Sequence, residues 1–332
     1  MQKKIYVVIY SRNSEAMINI YYRQHDKIAR ESDLRTLPQI DPLSVVWVDL
    51  NRLDELETRY ISNKFGINLS EKQEQEEIES SSRYHETNKI IVANSNFLLQ
   101  QGDTYISDPA SFILKNNYLI THRTNEFRSF TEISRKVLAA PKSFPSGYHV
   151  MLSIFENRID FDADLLENIA KEISRIGKFM GAEQKADKEI LIRATQLQEM
   201  TMLLRQNMID KQRMISAMLR SDHFPKDCYE RLRMMIKDVN SLMDHTTFSF
   251  DRLEYLQDTF LGLINIEQNK IIKLFTVASV VFLPPTLVAS VYGMNFDILP
   301  ELHWKYGYLF ALVLMLLSSL LTLWIFRRNR WL

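Results

Sequence analysis

The chain has 332 residues, and its 41 basic and 41 acidic side chains give a formal net charge of zero. This balance gives no support for nucleic-acid binding, which needs a basic surface. Cys228 is the only cysteine, so neither a disulfide framework nor a cysteine-based metal site is expected within one chain.

Residues 1–140 have the pattern of a mixed α/β domain. β-branched and aromatic residues predict strands at 4–10, 17–22, 44–50, 89–100, 111–115 and 118–121. Helices are predicted between them at 53–65 and at 71–80, where Ser70 provides the N-cap. A sheet with helices packed on it is the simplest arrangement of these elements.

Residues 141–270 have the pattern of long cytoplasmic helices. After Pro145 no proline occurs until Pro225, and apolar residues recur at helical spacing. From Asp227, helix signals continue without a proline as far as Pro284. This pattern predicts one stalk helix of roughly 55 residues that runs from the cytoplasm into a membrane.

One face of that helix carries an unusual heptad pattern, which we call the seam. Steps of four and three residues give Asp258, Gly262, Asn265, Asn269, Ile272, Thr276, Ser279, Leu283, Thr286 and Ser290. Seven of the ten are polar or charged, whereas a seam facing lipid is apolar and one between close-packed helices is small or apolar. The seam therefore indicates contact with water in a pore. The alternative is that its hydroxyl groups bond carbonyls of their own helix or of a neighbour.

Residues 271–332 are expected to form two transmembrane helices joined by an outer loop. The uncharged segments 274–296 and 306–326 are each long enough to cross a hydrocarbon core of about 30 Å. Basic residues flank the pair on one side, and the link between the segments is acidic. Both termini are therefore predicted to be cytoplasmic and the link to lie outside.

The flanking basic residues have two interpretations. Lys273, Arg327, Arg328 and Arg330 lie close to the cytoplasmic ends of the two segments. They form a candidate basic collar that influences gating, although positive-inside anchoring already explains them.

Several short motifs surround the point where the membrane hairpin reverses. Gly293-Met294-Asn295 follows the first segment, and Pro300-Glu301-Leu302 lies in the link. Phe282 to Val288 precedes them, and Arg327 to Leu332 provides a basic ending. Together these segments resemble the bacterial CorA magnesium transporters, most closely the enterobacterial-type members. Residues 46–50 and 77–84 give weaker matches.

The resemblance implies an architecture and an activity. The architecture is an α/β cytoplasmic domain, long stalk helices and two C-terminal transmembrane helices, assembled as a funnel-shaped homopentameric channel in a bacterial inner membrane. The activity is passive influx of Mg²⁺, with Co²⁺ and Ni²⁺ accepted, through a channel that cytoplasmic Mg²⁺ closes. No cofactor is implied beyond transported and regulatory Mg²⁺.

The resemblance also assigns positions along the ion path. It places Gly293, Met294 and Asn295 at the outer pore mouth. It places Asp258 and Asn269 in the cytoplasmic part of the conduit, and Ile272, Phe275, Leu283 and Thr286 on its wall. At one position the two assignments differ: the heptad steps select Thr276, and the resemblance selects Phe275. We therefore expect the helix to be rotated or slightly wound at that depth, relative to a regular heptad.

The chemistry of these positions suits a hydrated magnesium ion. Mg²⁺ gives up its water reluctantly. A ring of Asn295 amides that accepts hydrogen bonds from that water is therefore expected to select the hydrated ion without binding it tightly. Asp297 and Glu301 are expected to attract cations, although exposed carboxylates are usually only solvated charges. Rings of Ile272 and Leu283 are expected to close the conduit by dewetting, with ordinary helix packing as the alternative.

Acidic residues supply the candidates for regulation. Neighbouring subunits of a homo-oligomer can share Mg²⁺ between carboxylates, and the candidate ligands are Asp238, Asp244 and Asp251 of the stalk and Glu76, Glu77 and Glu79 of the α/β domain. The alternative for each is an acid on a solvated face.

Other functions have less support. No Gly-x-x-x-x-Gly-Lys, His-Glu-x-x-His or Gly-x-Ser-x-Gly motif occurs, so neither ATP-driven transport nor an enzyme is expected. A zinc transporter of the ZntB branch shares the architecture, and Met294 and the intact Pro300-Glu301-Leu302 count against it. A membrane-anchored coiled-coil scaffold is the third alternative, and it predicts an apolar seam.

Overall fold

The computed structural model of the chain describes residues 17–33, 36, 39–67, 83–102, 104–183, 188–294 and 304–329. Its strands are β1 (Met17–Gln24), β2 (Lys27–Glu31), β3 (Val45–Asn51), β4 (Tyr84–Glu86), β5 (Ile90–Gln101), β6 (Thr104–Lys115) and β7 (Tyr118–Arg123). They form one sheet in the order β2-β1-β3-β7-β6-β5-β4. The central β3–β7 pair is parallel, and the other pairs are antiparallel.

Six helices longer than one turn accompany this sheet in the described residues. They are α1 (Glu55–Phe65), α2 (Arg128–Ala139), α3 (Gly147–Glu183), α4 (Lys188–Arg220), α5 (Tyr229–Tyr292) and α6 (Gly307–Arg328). The observed architecture is the predicted α/β domain followed by long helices and two apolar C-terminal helices. The helix that ends at Tyr292 and α6 are both long and apolar enough to cross a membrane.

Helices cover both faces of the sheet. Successive side chains of a strand point to opposite faces, so the sheet has a separate core on each side. On one face, Ile61 and Phe65 of α1 join Val48 and Leu50 of β3 in an aliphatic core. The helix α1 starts at a capping box, in which Asp54 accepts from the backbone N–H of Glu57 and the Glu57 side chain accepts in return.

The opposite face of the sheet carries an aromatic core. Phe97 of β5 and Phe112 of β6 pack against Phe130 of α2 and Phe155 of α3, and the ring centroids of Phe112 and Phe155 are 4.9 Å apart. All four side chains are buried. Since aromatic rings bury large apolar areas, this core fixes the start of the long helices on the sheet.

The described strands agree with the predictions at 17–22, 44–50, 89–100, 111–115 and 118–121, and α1 agrees with the helix at 53–65. The predicted strand at 4–10 and the predicted helix at 71–80 lie outside the described residues. The structure adds β2, β4 and α2, and it extends β6 back to Thr104. Residues Thr104 to Pro109 pair with β5 alone, which is an edge position where proline is tolerated.

The long stalk helix is confirmed and is longer than predicted. Helix α5 has 64 residues, because it continues through Pro284 and Pro285 to Tyr292. The chain forms two compact units. The first holds the sheet, α1, α2, most of α3 and α4, and α5 as far as Tyr255. The second holds the end of α3, the start of α4, the rest of α5 and α6. The three-part division at residues 140 and 270 remains a prediction.

A buried group of charges joins α3 to α4 in the first unit. The ammonium of Lys211 lies 3.1 Å from Asp162, and both side chains are completely buried. Arg158 donates to the same carboxylate at 2.8 Å, and Asn207 accepts from Lys211 at 3.1 Å. Burial lowers the pKa of Lys211, and the charge of Asp162 opposes that shift. Asp162 therefore compensates two buried cations at once.

We predict that Asp162→Ala strongly destabilises the protein, because removing one partner leaves buried charge without compensation, at a cost of about 3–5 kcal/mol. Glu167→Ala is the matched control, since Glu167 forms an exposed pair with Lys171 on the same helix and water screens such pairs. Thermal unfolding of the purified protein in detergent measures both. Equal melting temperatures for the two variants would contradict this role of Asp162.

Candidate functional site

The seam of α5 is exposed along its whole length in the single chain. All ten of its residues, from Asp258 to Ser290, are exposed. Its apolar members Ile272 and Leu283 are 60 % and 65 % exposed, and the neighbouring Phe275 is 67 % exposed. The described part of one chain therefore leaves this face of the helix uncovered.

The opposite side of α5 packs against α6, and we call it the α6 face. Its half-buried members are Val277, Val280, Val281, Pro284, Pro285 and Val288. Val281 follows Ser279 by two residues, which is a rotation of about 200° around a helix. The seam and the α6 face therefore point in nearly opposite directions.

Two prolines interrupt the hydrogen bonds of α5 on the α6 face. Pro284 and Pro285 have no N–H, so the carbonyls four residues earlier, on Val280 and Val281, lose their helical donors. The hydroxyl of Ser319 on α6 donates to the Val281 carbonyl at 2.8 Å. A helix neighbour, rather than pore water, therefore supplies this missing donor.

Thr322 of α6 has a less exclusive role at the same break. Its hydroxyl oxygen lies 3.4 Å from the Val280 carbonyl and 2.9 Å from the Ser318 carbonyl of its own helix. One hydroxyl has one proton to donate. Thr322 therefore donates either to α5 or to its own helix at a given moment, whereas Ser319 donates to α5.

The threonines of the seam bond within their own helix. Thr276 donates to the Ile272 carbonyl at 2.8 Å, and Thr286 donates to the Phe282 carbonyl at 2.7 Å. For these two hydroxyls the structure shows the alternative given in the sequence analysis, which is a hydrogen bond to a carbonyl of the same helix. Each oxygen keeps its acceptor capacity on an exposed face, so the seam presents acceptors at these positions.

The end of α5 closes with a compact turn at the first two residues of the Gly-Met-Asn motif. The N–H of Gly293 donates to the Ala289 carbonyl at 2.9 Å, and that of Met294 to the Val291 carbonyl at 3.3 Å. A Cβ at position 293 would lie 3.2 Å from the Ala289 carbonyl oxygen, so glycine relieves a tight contact here. Asn295, Asp297 and Glu301 lie outside the described residues.

Three of the six candidate regulatory acids lie in the part of the chain that the structure describes. Asp238, Asp244 and Asp251 all lie on α5 with exposed side chains. Asp244 and Asp251 are seven residues apart and so share a face of the helix. The glutamates at positions 76, 77 and 79 lie outside the described residues.

The candidate basic collar is partly described. Lys273, Arg327 and Arg328 are exposed, and the Arg328 guanidinium lies 5.1 Å from the ring centroid of Trp324. Arg330 lies outside the described residues. The arginines at the end of α6 have the placement expected of membrane anchors, because long basic side chains extend toward the headgroups.

One group of potential metal ligands was missed by the sequence analysis. His149, Asp227 and Cys228 bring three ligand atoms within 4.8 Å of one another. The pKa of the Cys228 thiol is raised to about 12, mainly because the thiol is buried. The sequence argument counted cysteines alone, and no spacing motif connects residues 78 positions apart, so only the fold reveals this group.

Comparison with known proteins gives consistent results for the whole chain. A family model described as CorA-like Mg²⁺ transporter protein matches residues 43–328. The magnesium transport protein CorA of Wolinella succinogenes is 40 % identical over 322 residues, which cover 95 % of this chain and 100 % of that protein. The protein of the same name from Escherichia coli K12 is 30 % identical over 319 residues, with the same shares covered.

A solved structure shares the fold. The complete CorA magnesium transporter from Methanocaldococcus jannaschii aligns with a TM-score of 0.78 at 20 % identity. The alignment covers 96 % of this chain and 99 % of that one.

We predict that Ser319→Ala destabilises the helix pair by about 1 kcal/mol, because the Val281 carbonyl loses its donor. In a Pro285→Ala background the restored N–H bonds that carbonyl, so the same substitution is expected to have no effect. Ser318→Ala is the matched control, since Ser318 donates to Met315 within α6. Denaturant unfolding in detergent measures all variants, and equal costs of Ser319→Ala in both backgrounds would refute the compensation.

Proposed function

This chain belongs to the family of CorA-like Mg²⁺ transporter proteins, and we propose that it conducts Mg²⁺ passively through a homo-oligomeric membrane channel. The observation that carries the proposal is the seam, a continuous exposed face of α5 opposite the face that packs on α6. A polar strip inside a membrane span needs water or polar partners. A conduit provides both.

The residues of the seam suit a hydrated divalent cation. The water around Mg²⁺ directs its hydrogens outward, so a wall that conducts the hydrated ion needs acceptors. Thr276 and Thr286 use their protons inside the helix and keep oxygen lone pairs on the seam. Asn265 and Asn269 add amide carbonyls on the same exposed face. None of these four is charged, which avoids tight binding and allows the ion to leave.

Several copies of the chain are needed to complete the conduit. One α5 has a single seam, and α6 covers only the opposite face. Rotational symmetry places identical seams around one axis. We propose the homopentamer that the resemblance implies, with α5 on the inside and α6 around it.

Particular residues are assigned to steps along this path. Asn295 selects the hydrated ion at the outer mouth, beside the turn at Gly293 and Met294, and Asp297 and Glu301 raise the local cation concentration. Rings of Ile272 and Leu283 narrow the conduit to an apolar constriction that closes by dewetting. Co²⁺ and Ni²⁺ follow the same path, because they are divalent ions that carry a similar octahedral water shell.

The driving force is the membrane potential. We place both termini in the cytoplasm of a bacterial cell and the spans in its inner membrane, as the flanking basic residues favour. An inside-negative potential of 100 mV then contributes about 4.6 kcal/mol to the entry of a divalent cation. Influx therefore needs no ATP.

Cytoplasmic Mg²⁺ is proposed to close the channel. Asp238, Asp244 and Asp251 are exposed on α5, where a carboxylate of a neighbouring subunit can share an ion with them. Glu76, Glu77 and Glu79 are the corresponding candidates in the α/β domain. Loss of the shared ion leaves like charges facing each other, which favours separation of the subunits.

Cysteine labelling tests the pore assignment. In a Cys228→Ser background, single cysteines at Ser279, Leu283 or Thr286 are expected to react with water-soluble thiol reagents and to lose Mg²⁺ flux, because thiolates form where water reaches. Cysteines at Val281 or Val288 are the matched controls, since both residues lie on the α6 face. Equal labelling of the two sets would mean that the seam does not line a pore.

A further inference from the structure

Three donor side chains of different chemistry meet where two long helices begin. His149 lies in the first turn of α3, and Asp227 and Cys228 lie in the short turn just before α5. The His149 Nε2 atom is 3.1 Å from an Asp227 carboxylate oxygen and 3.9 Å from the Cys228 sulfur. All three ligand atoms lie within 4.8 Å of one another, a spacing that one central ion can bridge.

The imidazole of His149 is held with one nitrogen toward the other two donors. The Ser146 hydroxyl lies 3.0 Å from Nδ1, which leaves Nε2 facing Asp227 and Cys228. At 3.1 Å a proton lies between Nε2 and the carboxylate oxygen, because two lone pairs would repel each other at that distance. A metal ion can take the place of this proton if the proton moves to Nδ1, where the Ser146 hydroxyl can accept it in a hydrogen bond.

Neighbouring contacts fix both ends of the group before any ion binds. The rings of Tyr148 and Phe224 pack edge to face with centroids 5.0 Å apart, which ties the start of α3 to the segment before α5. The N–H of Gly147 donates to the Asn117 carbonyl at 2.6 Å. A Cβ at Gly147 would lie 2.2 Å from the backbone nitrogen of Leu119, so the close approach to the sheet requires glycine.

Burial and charge also suit a bound cation. The Cys228 side chain is buried and that of His149 is 11 % exposed, while Asp227 is 64 % exposed and opens the group to solvent. A thiolate and a carboxylate together balance a divalent ion. The nearby Arg231 is neutralised by Glu156, which accepts from it at 2.6 and 2.7 Å.

We propose that His149, Asp227 and Cys228 bind one transition-metal ion of the Zn²⁺, Co²⁺ or Ni²⁺ class, with water as the fourth ligand. Nitrogen and sulfur donors favour these ions, whereas Mg²⁺ prefers oxygen ligands in an octahedral shell. On binding, the S–H bond of Cys228 breaks, its proton passes to solvent and a metal–sulfur bond forms without any change of oxidation state. The ion then joins the first turn of α3 to the start of α5.

This site is separate in its residues and its chemistry from the proposed ion path. The seam offers amide, hydroxyl and carboxylate oxygens, and the group at His149 offers nitrogen and sulfur as well. Binding of a transition metal in the first compact unit is therefore expected to be insensitive to a large excess of Mg²⁺. If the protein does not bind a transition metal at this site, the proposed Mg²⁺ conduction is unaffected.

Cobalt spectroscopy of the full-length protein in detergent tests the site. Metal-free protein titrated with Co²⁺ is expected to show a near-ultraviolet sulfur-to-cobalt charge-transfer band and intense visible bands of four-coordinate Co²⁺. Co²⁺ bound to oxygen ligands elsewhere does not give the sulfur band. Zn²⁺ should remove the signal at stoichiometric concentration, and Mg²⁺ should not.

Variants connect the signal to the three residues. Cys228→Ser should abolish the charge-transfer band, and His149→Gln should weaken Co²⁺ binding at least about tenfold, as loss of one ligand implies. His223→Gln is the matched control, because His223 also contacts a carboxylate, that of Glu86, near the same helix connection. An unchanged band in Cys228→Ser, or no band in the unmodified protein, would overturn the proposal.

A second measurement does not depend on the folding of a variant. Since Cys228 is the only cysteine, alkylation of the unmodified protein reports on this thiol alone. The buried thiol reacts only when the protein opens locally, and Zn²⁺ is expected to slow that reaction at least about tenfold, because the bound ion stabilises the closed, folded state. Equal alkylation rates with Zn²⁺ and with Mg²⁺ would also overturn the site.

Discussion

The hydrogen bond from Ser319 to the Val281 carbonyl is the contact on which the membrane part of this structure depends. Hydrocarbon offers no water to an unpaired carbonyl, so a helix that contains Pro284 and Pro285 needs a donor from elsewhere. The hydroxyl of Ser319 supplies that donor at 2.8 Å. The two prolines thereby determine which side of α5 faces α6.

Fixing that side also fixes the side that remains open. Because α6 takes the face around Val281, the seam is left exposed on the opposite side of the same helix. A strip with amides at Asn265 and Asn269 and hydroxyls at Thr276 and Thr286 is poorly suited to lipid. The proposed assembly around an axis would hide this strip from lipid and surround water with acceptors. The proposed conduit thus follows from one packing choice between two helices.

The parts of the fold with strong local signals could be predicted from the sequence. The two apolar segments, the long helix α5 and the strand β3 each have a long run of consistent residues. The elements that were missed have weak signals: β2 is a short strand with three charged residues, and α2 begins at Arg128 after an N-cap residue, Phe127, that makes no side-chain cap hydrogen bond. Tertiary packing stabilises such elements, and a single sequence does not display it.

The candidate sites also differ in how far the sequence alone could predict them. The seam could be found because its members lie on one helix at a fixed period, and the structure adds their exposure and the opposing α6 face. The pairing of Ser319 with Val281 and the meeting of His149 with Cys228 join residues far apart in the chain. No periodicity connects such residues, so they emerge only when the chain is folded.

The central claim is that this chain conducts Mg²⁺ down an electrical gradient. The most direct measurement uses the purified protein in liposomes that contain a Mg²⁺-sensitive dye, with an inside-negative potential set by a potassium gradient and no ATP. The account predicts Mg²⁺ entry that increases with the imposed potential and that is largely lost in Asn295→Ala. Entry no faster than into protein-free liposomes, or entry of Zn²⁺ with exclusion of Mg²⁺, would contradict it.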